Sequence, residues 1–326
     1  MPSWRIRLCS FWLRLRQAYA IDRGMRICSL LPGATEIAYA LGLGDQIVGV
    51  THECDYPADA QHKPVMVHSA IDAQRMSAGE IDRKVGELLE AGKGLYRIDA
   101  QAFGAAAPDI ILTQGLCEVC ALDYHEVVKA AARLAHRPII ISLNPHNLSE
   151  LLDDILRVGD ATARQSAAAT LVADLRQRIE RVACREPDKR PRVVCLEWFE
   201  PLYSAGHWAP EMVALAGGVD ALGRQGEPSI KIDWRQVIEA RPEVILLMPC
   251  GFDVRRTVKE ATPLRALTGW NDLPAVKSGN VFALNGNAYF SRPGPRLVAG
   301  LEILARIIHP QTVTWSLSAA DATQLN

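Results

Sequence analysis

The fold class this chain predicts is α/β: two Rossmann-like lobes joined by a single long backbone helix, with a ligand cleft between the lobes. Three observations predict it. Short apolar segments alternate with amphipathic helical ones, the pattern of parallel strands with crossover helices. That alternation stops over one central stretch of Ala, Leu, Arg and Gln at helical spacing, and then resumes. The 326 residues are about twice the size of an average domain.

In chain order, Arg26–Leu31 predicts a buried strand, and Pro32 opens an apolar helix that ends near Gly42 or Gly44. Gln46–Val50 predicts the next strand, followed by the polar loop Thr51–Pro57. Ser77–Ala91 and Asp99–Ala106 carry helical spacing. Asp109–Thr113 predicts a strand that opens the loop Gln114–Leu122; a helix over Asp123–His136 and a strand at Pro138–Leu143 complete the first lobe. Leu148–Val158 and Ala163–Val182 are the central helices, the second about 30 Å long at 1.5 Å per residue. Arg192–Leu196, Glu243–Met248 and Asn280–Leu284 predict the second lobe's strands, with helices over Pro210–Ala216, Trp234–Ala240 and Pro295–Ile308. The division that follows takes 1–24 as an extension outside the fold and 25–146 as the N-terminal lobe. Residues 147–186 are the connecting helices, 187–310 the C-terminal lobe and 311–326 a tail.

Hydrophobic residues make up 49% and charged residues 22%, which excludes a disordered or collagen-like chain. Lys+Arg (36) against Asp+Glu (37) leaves a net charge of -1, so no electrostatic footprint points to nucleic acid or an anionic membrane. No apolar run approaches the roughly 18 residues of a membrane span. Arg5 and Arg7 before Leu8–Leu13 resemble the opening of a secretory leader, with Ala18-Tyr19-Ala20 as a cleavage-like site. Arg14 and Arg16 cut the apolar run short of the ~7–15 residues such a leader needs. The expectation is a cytoplasmic protein, with the periplasm as the alternative.

No nucleophile elbow, H-E-x-x-H or P-loop occurs, so these signatures favour a binding protein over an enzyme without deciding between them. In open α/β sheets, ligands bind beyond the carboxyl ends of the strands, and the loops expected there are rich in aromatic and soft-donor residues. His52, Glu53 and Tyr56 come from the first lobe. Trp198, His207, Trp208, Phe252, Asn287, Tyr289, Phe290 and Arg292 come from the second. Aromatic walls with a few polar groups suit a large planar ligand. Arg292 is the only prominent cation in these loops, which disfavours strongly anionic ligands. Among the eight cysteines, Cys28, Cys184 and Cys195 fall within apolar or helical pattern and read as core. Cys54, Cys117, Cys120 and Cys250 fall in strand-end loops, and Cys117–Cys120 is a C-x-x-C pair. Thiolates and imidazoles together suit zinc or another soft metal, so these four are candidate metal ligands; the plain alternative is thiols that pack turns in a reducing compartment.

The chain resembles the class III substrate-binding proteins of iron-siderophore and cobalamin ABC importers, over about Met25 to Pro310. The first lobe carries SLLPGATEIAYALGLGDQIVGVTHECDYP at Ser29–Pro57. The second carries APEMVALAGG at Ala209–Gly218, RPEVILLMPCGFD at Arg241–Asp253 and GNAYFSRPGPRLVAGLEIL at Gly286–Leu304. Within the family it is most similar to a cobalamin-binding-protein-like branch with LCEVC (Leu116–Cys120), LEW (Leu196–Trp198), GHW (Gly206–Trp208) and PCGFD (Pro249–Asp253) segments. The resemblance implies a protein that closes two lobes over a corrinoid such as cobalamin, with an ABC permease as partner. Two alternatives stand beside it: a cytosolic metal-binding or redox protein or enzyme using the Cys/His loops, and a siderophore-type metal-chelate binder. Family members dock on the permease through an acid on each lobe. The matching positions here, Gln101 and Ala214, are not acidic, although Asp99 and Glu211 lie close by.

Overall fold

The computed structural model describes residues 24–115, 122–185 and 187–325. They form two compact units. The first takes the chain up to Ala70, Leu88–Asn144 and Leu152–Ala173; the second takes Ile71–Glu87, Pro145–Leu151 and everything from Asp174 onward. Besides the long helix, two short segments therefore group with the second unit, where sequence pattern alone placed them in the first lobe or across its border.

The first unit is built on β1 (Ile27–Ser29), β2 (Ile47–Thr51), β3 (Val65–Ser69), β4 (Tyr96–Ile98), β5 (Ile110–Thr113) and β6 (Ile139–Ser142). Their order is β4-β3-β2-β1-β5-β6, parallel throughout except for β3 with β4. β1 and β5 are buried along their whole length. A parallel strand covered on both faces has no solvent side, which is why these segments read as continuous apolar runs. Leu30, Met66, Phe103, Ile111 and Val127 pack together beside them. Asp99 and Asp123, where helices were expected to begin, are N-caps: Asp99 accepts from the Gln101 and Ala102 amides, and Asp123 from the His125 amide.

The second unit holds β7 (Arg192–Phe199), β8 (Leu202–Ser204), β9 (Val219–Asp220), β10 (Ile230–Lys231), β11 (Val244–Leu247), β12 (Val281–Leu284) and β13 (Ala322–Gln324). The order is β10-β8-β7-β11-β12-β13, with β9 also on β7. β7, β11 and β12 run parallel, while β8, β10 and β13 are antiparallel to their neighbours. Residues 311–326, expected to be a tail, thus supply a strand of the sheet. Helices Leu148–Ala161 and Gln165–Ala183 follow the central helical pattern, and the latter carries the chain from one unit into the other. Its Arg178 makes a two-pronged ion pair with Glu302 of helix Arg296–Ile308, at 3.0 and 2.7 Å.

Candidate functional site

The parallel strands β7, β11 and β12 bring three loops to one end of the second unit's sheet. A Cβ on Gly286 would collide with the Pro249 carbonyl, so only glycine lets the loops after β11 and β12 touch. The Asn287 amide then donates to the Phe252 carbonyl at 3.0 Å, and Arg292 Nη2 donates to Asn287 Oδ1 at 2.7 Å. Arg292 and Phe290 are buried. The Phe252 ring is buried too, 5.3 Å from Trp198 and tilted by 51°. Trp198 is half-exposed, yet its Nε1 is buried and has no hydrogen-bond partner. Tyr289 is half-buried and donates its phenol to Asp321. Cys250, partly exposed, donates its amide to the Glu197 carbonyl.

His207 and Trp208 lie in the turn between β8 and helix Ala209–Leu215. Trp208 points inward, 6% exposed, with Nε1 donating to the Phe290 carbonyl at 2.8 Å. It supports the loop from beneath. His207 sits at φ +53, a left-handed conformation that is uncommon for a residue with a side chain. Its ring lies 5.6 Å from Trp208 and 6.3 Å from His146. The Nδ1 atoms of both histidines are buried without a hydrogen-bond partner. Burial, and then the charge of His146, hold the His207 imidazole below its ordinary pKa, so it is neutral near pH 7.

In the first unit, the loop after β2 keeps His52, Glu53 and Tyr56 exposed. His52 Nδ1 lies 3.1 Å from the Val67 carbonyl, its Nε2 3.8 Å from the Glu53 carboxylate and its ring 6.0 Å from Tyr96. Cys54 turns the other way. It is 4% exposed, with Sγ 3.1 Å from the Thr35 hydroxyl and 3.4 Å from that of Thr51. Cys117 and Cys120 fall outside the described residues. Among those described, no three His, Cys, Asp or Glu side chains gather closely enough to hold a metal ion.

Two groups escaped sequence reasoning. Arg256 stacks on Phe252 at 3.8 Å and donates to the Ala73 and Met76 carbonyls, tying Ile71–Glu87 into the second unit. Its only sequence signal was its place three residues after Asp253, whose carboxylate caps the helix Val254–Glu260. His146 gave no signal, because its partner His207 is 61 residues away in the chain. Of the acids beside the expected docking positions, Asp99 is exposed, whereas Glu211 is half-buried, accepts from the Leu148 amide and is raised in pKa by burial.

The family model described as "Periplasmic binding protein" matches residues 135–288. The vitamin B12-binding protein of Vibrio cholerae is 25% identical over 297 residues, covering 85% of this chain and 86% of that protein. An uncharacterised ABC transporter substrate-binding lipoprotein of Bacillus subtilis is 25% identical over 295 residues, with 88% and 81% covered. Among solved structures, the periplasmic vitamin B12 binding protein of V. cholerae superposes with a TM-score of 0.65 at 24% identity, covering 87% of this chain and 96% of that one. A periplasmic heme binding protein of Pseudomonas aeruginosa superposes with a TM-score of 0.69 at 17% identity, covering 93% and 99%.

These relatives overturn the cytoplasmic expectation, for they are periplasmic proteins or lipoproteins and point outside the cytoplasm. Arg14 and Arg16, on which that expectation leaned, lie outside the described residues. Cys117 and Cys120, the other ground for it, also lie outside the described residues. Cys28, Cys54 and Cys195 are buried, and desolvation pushes the Cys28 thiol up to about 12, far from its reactive thiolate form. The chain is thus similar to the periplasmic binding proteins, in sequence over residues 135–288 by the family model and in fold over most of its length.

Proposed function

We propose that this chain is the substrate-binding protein of an ABC importer and that its ligand is a corrinoid, cobalamin or a close relative. The observation that carries the reading is the extent of the likeness to a vitamin B12-binding protein, which takes in 85% of the chain. The loops of the second unit support it. Trp198 and Tyr289 offer aromatic faces, Asn287 a fixed amide and His207 a neutral imidazole that can offer a lone pair to a metal in the ligand. In the first unit, by itself, the loop after β2 exposes His52, Glu53 and Tyr56. A siderophore-type anion is less suited to this set. The cations near these loops, Arg256 and Arg292, are already committed to protein acceptors.

Absorption titrations of the purified protein with cyanocobalamin, hemin and a ferric siderophore test the reading. Saturable one-site binding of cyanocobalamin is expected. Saturation by hemin or the siderophore, with no response to cyanocobalamin, would overturn it.

A further inference from the structure

The loop Asn285–Arg292 is held on three sides within the second unit. Beneath it, a Cβ on Gly300 would lie 2.5 Å from the Tyr289 carbonyl, so the loop backbone rests directly on helix Arg296–Ile308. Beside it, Gly286 packs on Pro249. Both supports hold backbone, and neither sets the direction of a side chain. The third side is different.

β13 pairs antiparallel with β12, in the register Phe282↔Gln324, Ala283↔Thr323 and Leu284↔Ala322. It covers what would be an open edge of the sheet. One end is anchored by Leu325, which is buried in the same apolar cluster as Val281 and Ala283. The other end carries Asp321. The Asp321 carbonyl accepts from the Asn285 amide at 3.0 Å, and the neighbouring Ala320 carbonyl accepts from Asn285 Nδ2 at 3.2 Å. Asn285 in turn caps the short helix Gly286–Tyr289 by accepting from the Ala288 amide at 3.0 Å. The Asp321 carboxylate is used on both oxygens. Oδ2 accepts from the Ser318 amide and hydroxyl at 3.1 and 2.7 Å, and Oδ1 accepts from the Tyr289 phenol at 2.7 Å. The Ser318 bonds fix the carboxylate before it meets the phenol, so the phenol is oriented by a group that is itself immobilised. A hydrogen bond to an ionised acceptor is also the stronger kind.

We propose that Asp321 is a positioning residue for ligand binding, acting through Tyr289 and Asn285 from a strand that lies outside the loops themselves. The inference rests on the reading of Tyr289 and Asn287 as ligand contacts, and it adds a determinant more than thirty residues further along the chain. A phenol swung free of Asp321 presents a different ring plane to the ligand, and the Ser318–Asp321 turn, whose Asp321 and Ala320 carbonyls hold Asn285, loses the carboxylate that fixes it.

Four variants test it: Asp321→Ala, Asp321→Asn, Tyr289→Phe and the double Asp321→Ala/Tyr289→Phe. Two readouts are needed, amide hydrogen exchange over residues 285–292 and titration with cyanocobalamin. Asp321→Ala is expected to speed exchange at the Ala288 and Tyr289 amides by about tenfold, and to weaken cyanocobalamin binding roughly five- to tenfold, the size of one lost charge-assisted hydrogen bond. Tyr289→Phe keeps the ring and should show a similar affinity loss. The double variant should then be no worse than Asp321→Ala, and Asp321→Asn, which keeps an acceptor for the phenol, should recover most of the affinity. Unchanged loop exchange in Asp321→Ala overturns the proposal. So does additivity of the two single losses, or faster loop exchange with unaltered affinity. If the parent chain itself does not bind cyanocobalamin, the corrinoid reading falls, and the exchange pattern still decides whether Asp321 positions the loop.

Discussion

In sequence, the first unit's loop after β2 resembles the second unit's loops after β8, β11 and β12, since both sets mix aromatic, imidazole and thiol groups. They are built differently. In the first unit one short loop sorts its own side chains: His52, Glu53 and Tyr56 outward, Cys54 inward. In the second unit the aromatic groups are held by partners from other elements, so that the Phe252 ring packs on Trp198 and the Trp208 indole holds the Phe290 carbonyl. The lesson is that an aromatic residue in a loop is either wall or footing, and its polar tip tells which. Trp208 has its Nε1 satisfied inside the unit, whereas the Nε1 of Trp198 has no protein partner. Trp208, expected to stack on the ligand, is a footing.

That contrast can be broken by substitution. The largest effect is expected at the footing. Trp208→Ala should cost about 3–5 kcal/mol, the range for emptying a buried aromatic site, read as a fall in the thermal unfolding midpoint. A variant as stable as the parent would return Trp208 to the ligand wall. Trp198→Ala should do the reverse, lowering affinity for cyanocobalamin about tenfold, which is roughly 1.4 kcal/mol, with a much smaller change in midpoint. Equal affinity would show that the ring is only packing.

Smaller effects sharpen the comparison within the second unit. Arg256→Gln removes the stack on Phe252 and weakens the hold on the Ala73 and Met76 carbonyls. About 1–3 kcal/mol should be lost locally, seen as faster amide exchange confined to Ile71–Glu87. Exchange that rises evenly over the whole unit would argue against a local tie. The smallest effect is the pH dependence of His207. Its folded pKa is depressed below the ordinary 6.5, because burial disfavours the charged ring. The unfolded chain therefore binds the proton first. The contribution to stability is complete above pH 6.5 and is lost as pH falls through the lower folded value. His207→Gln should flatten that part of the unfolding profile. An identical slope in parent and variant would remove His207 as its source.

The sequence by itself determined the class of fold and most of its central elements. Parallel strands buried on both faces, such as Ile110–Thr113 and Val244–Leu247, must be apolar throughout, and helices must repeat near every 3.6 residues. Both requirements are local and so are written in the local order of residues. The positions of the strand-end loops were also legible, because strand ends are set by the same pattern. Only the tertiary structure decided the rest. β9, β10 and β13 are two or three residues long and exist because a partner strand far along the chain accepts them. The arm Ile71–Glu87 reads as one more amphipathic segment until Arg256, some 180 residues on, takes its carbonyls. Whether Cys54 or His52 faces outward, and whether the Trp198 or the Trp208 indole nitrogen finds a protein partner, depends on which neighbours surround each group. That is settled by packing between distant residues, and no spacing along the chain records it.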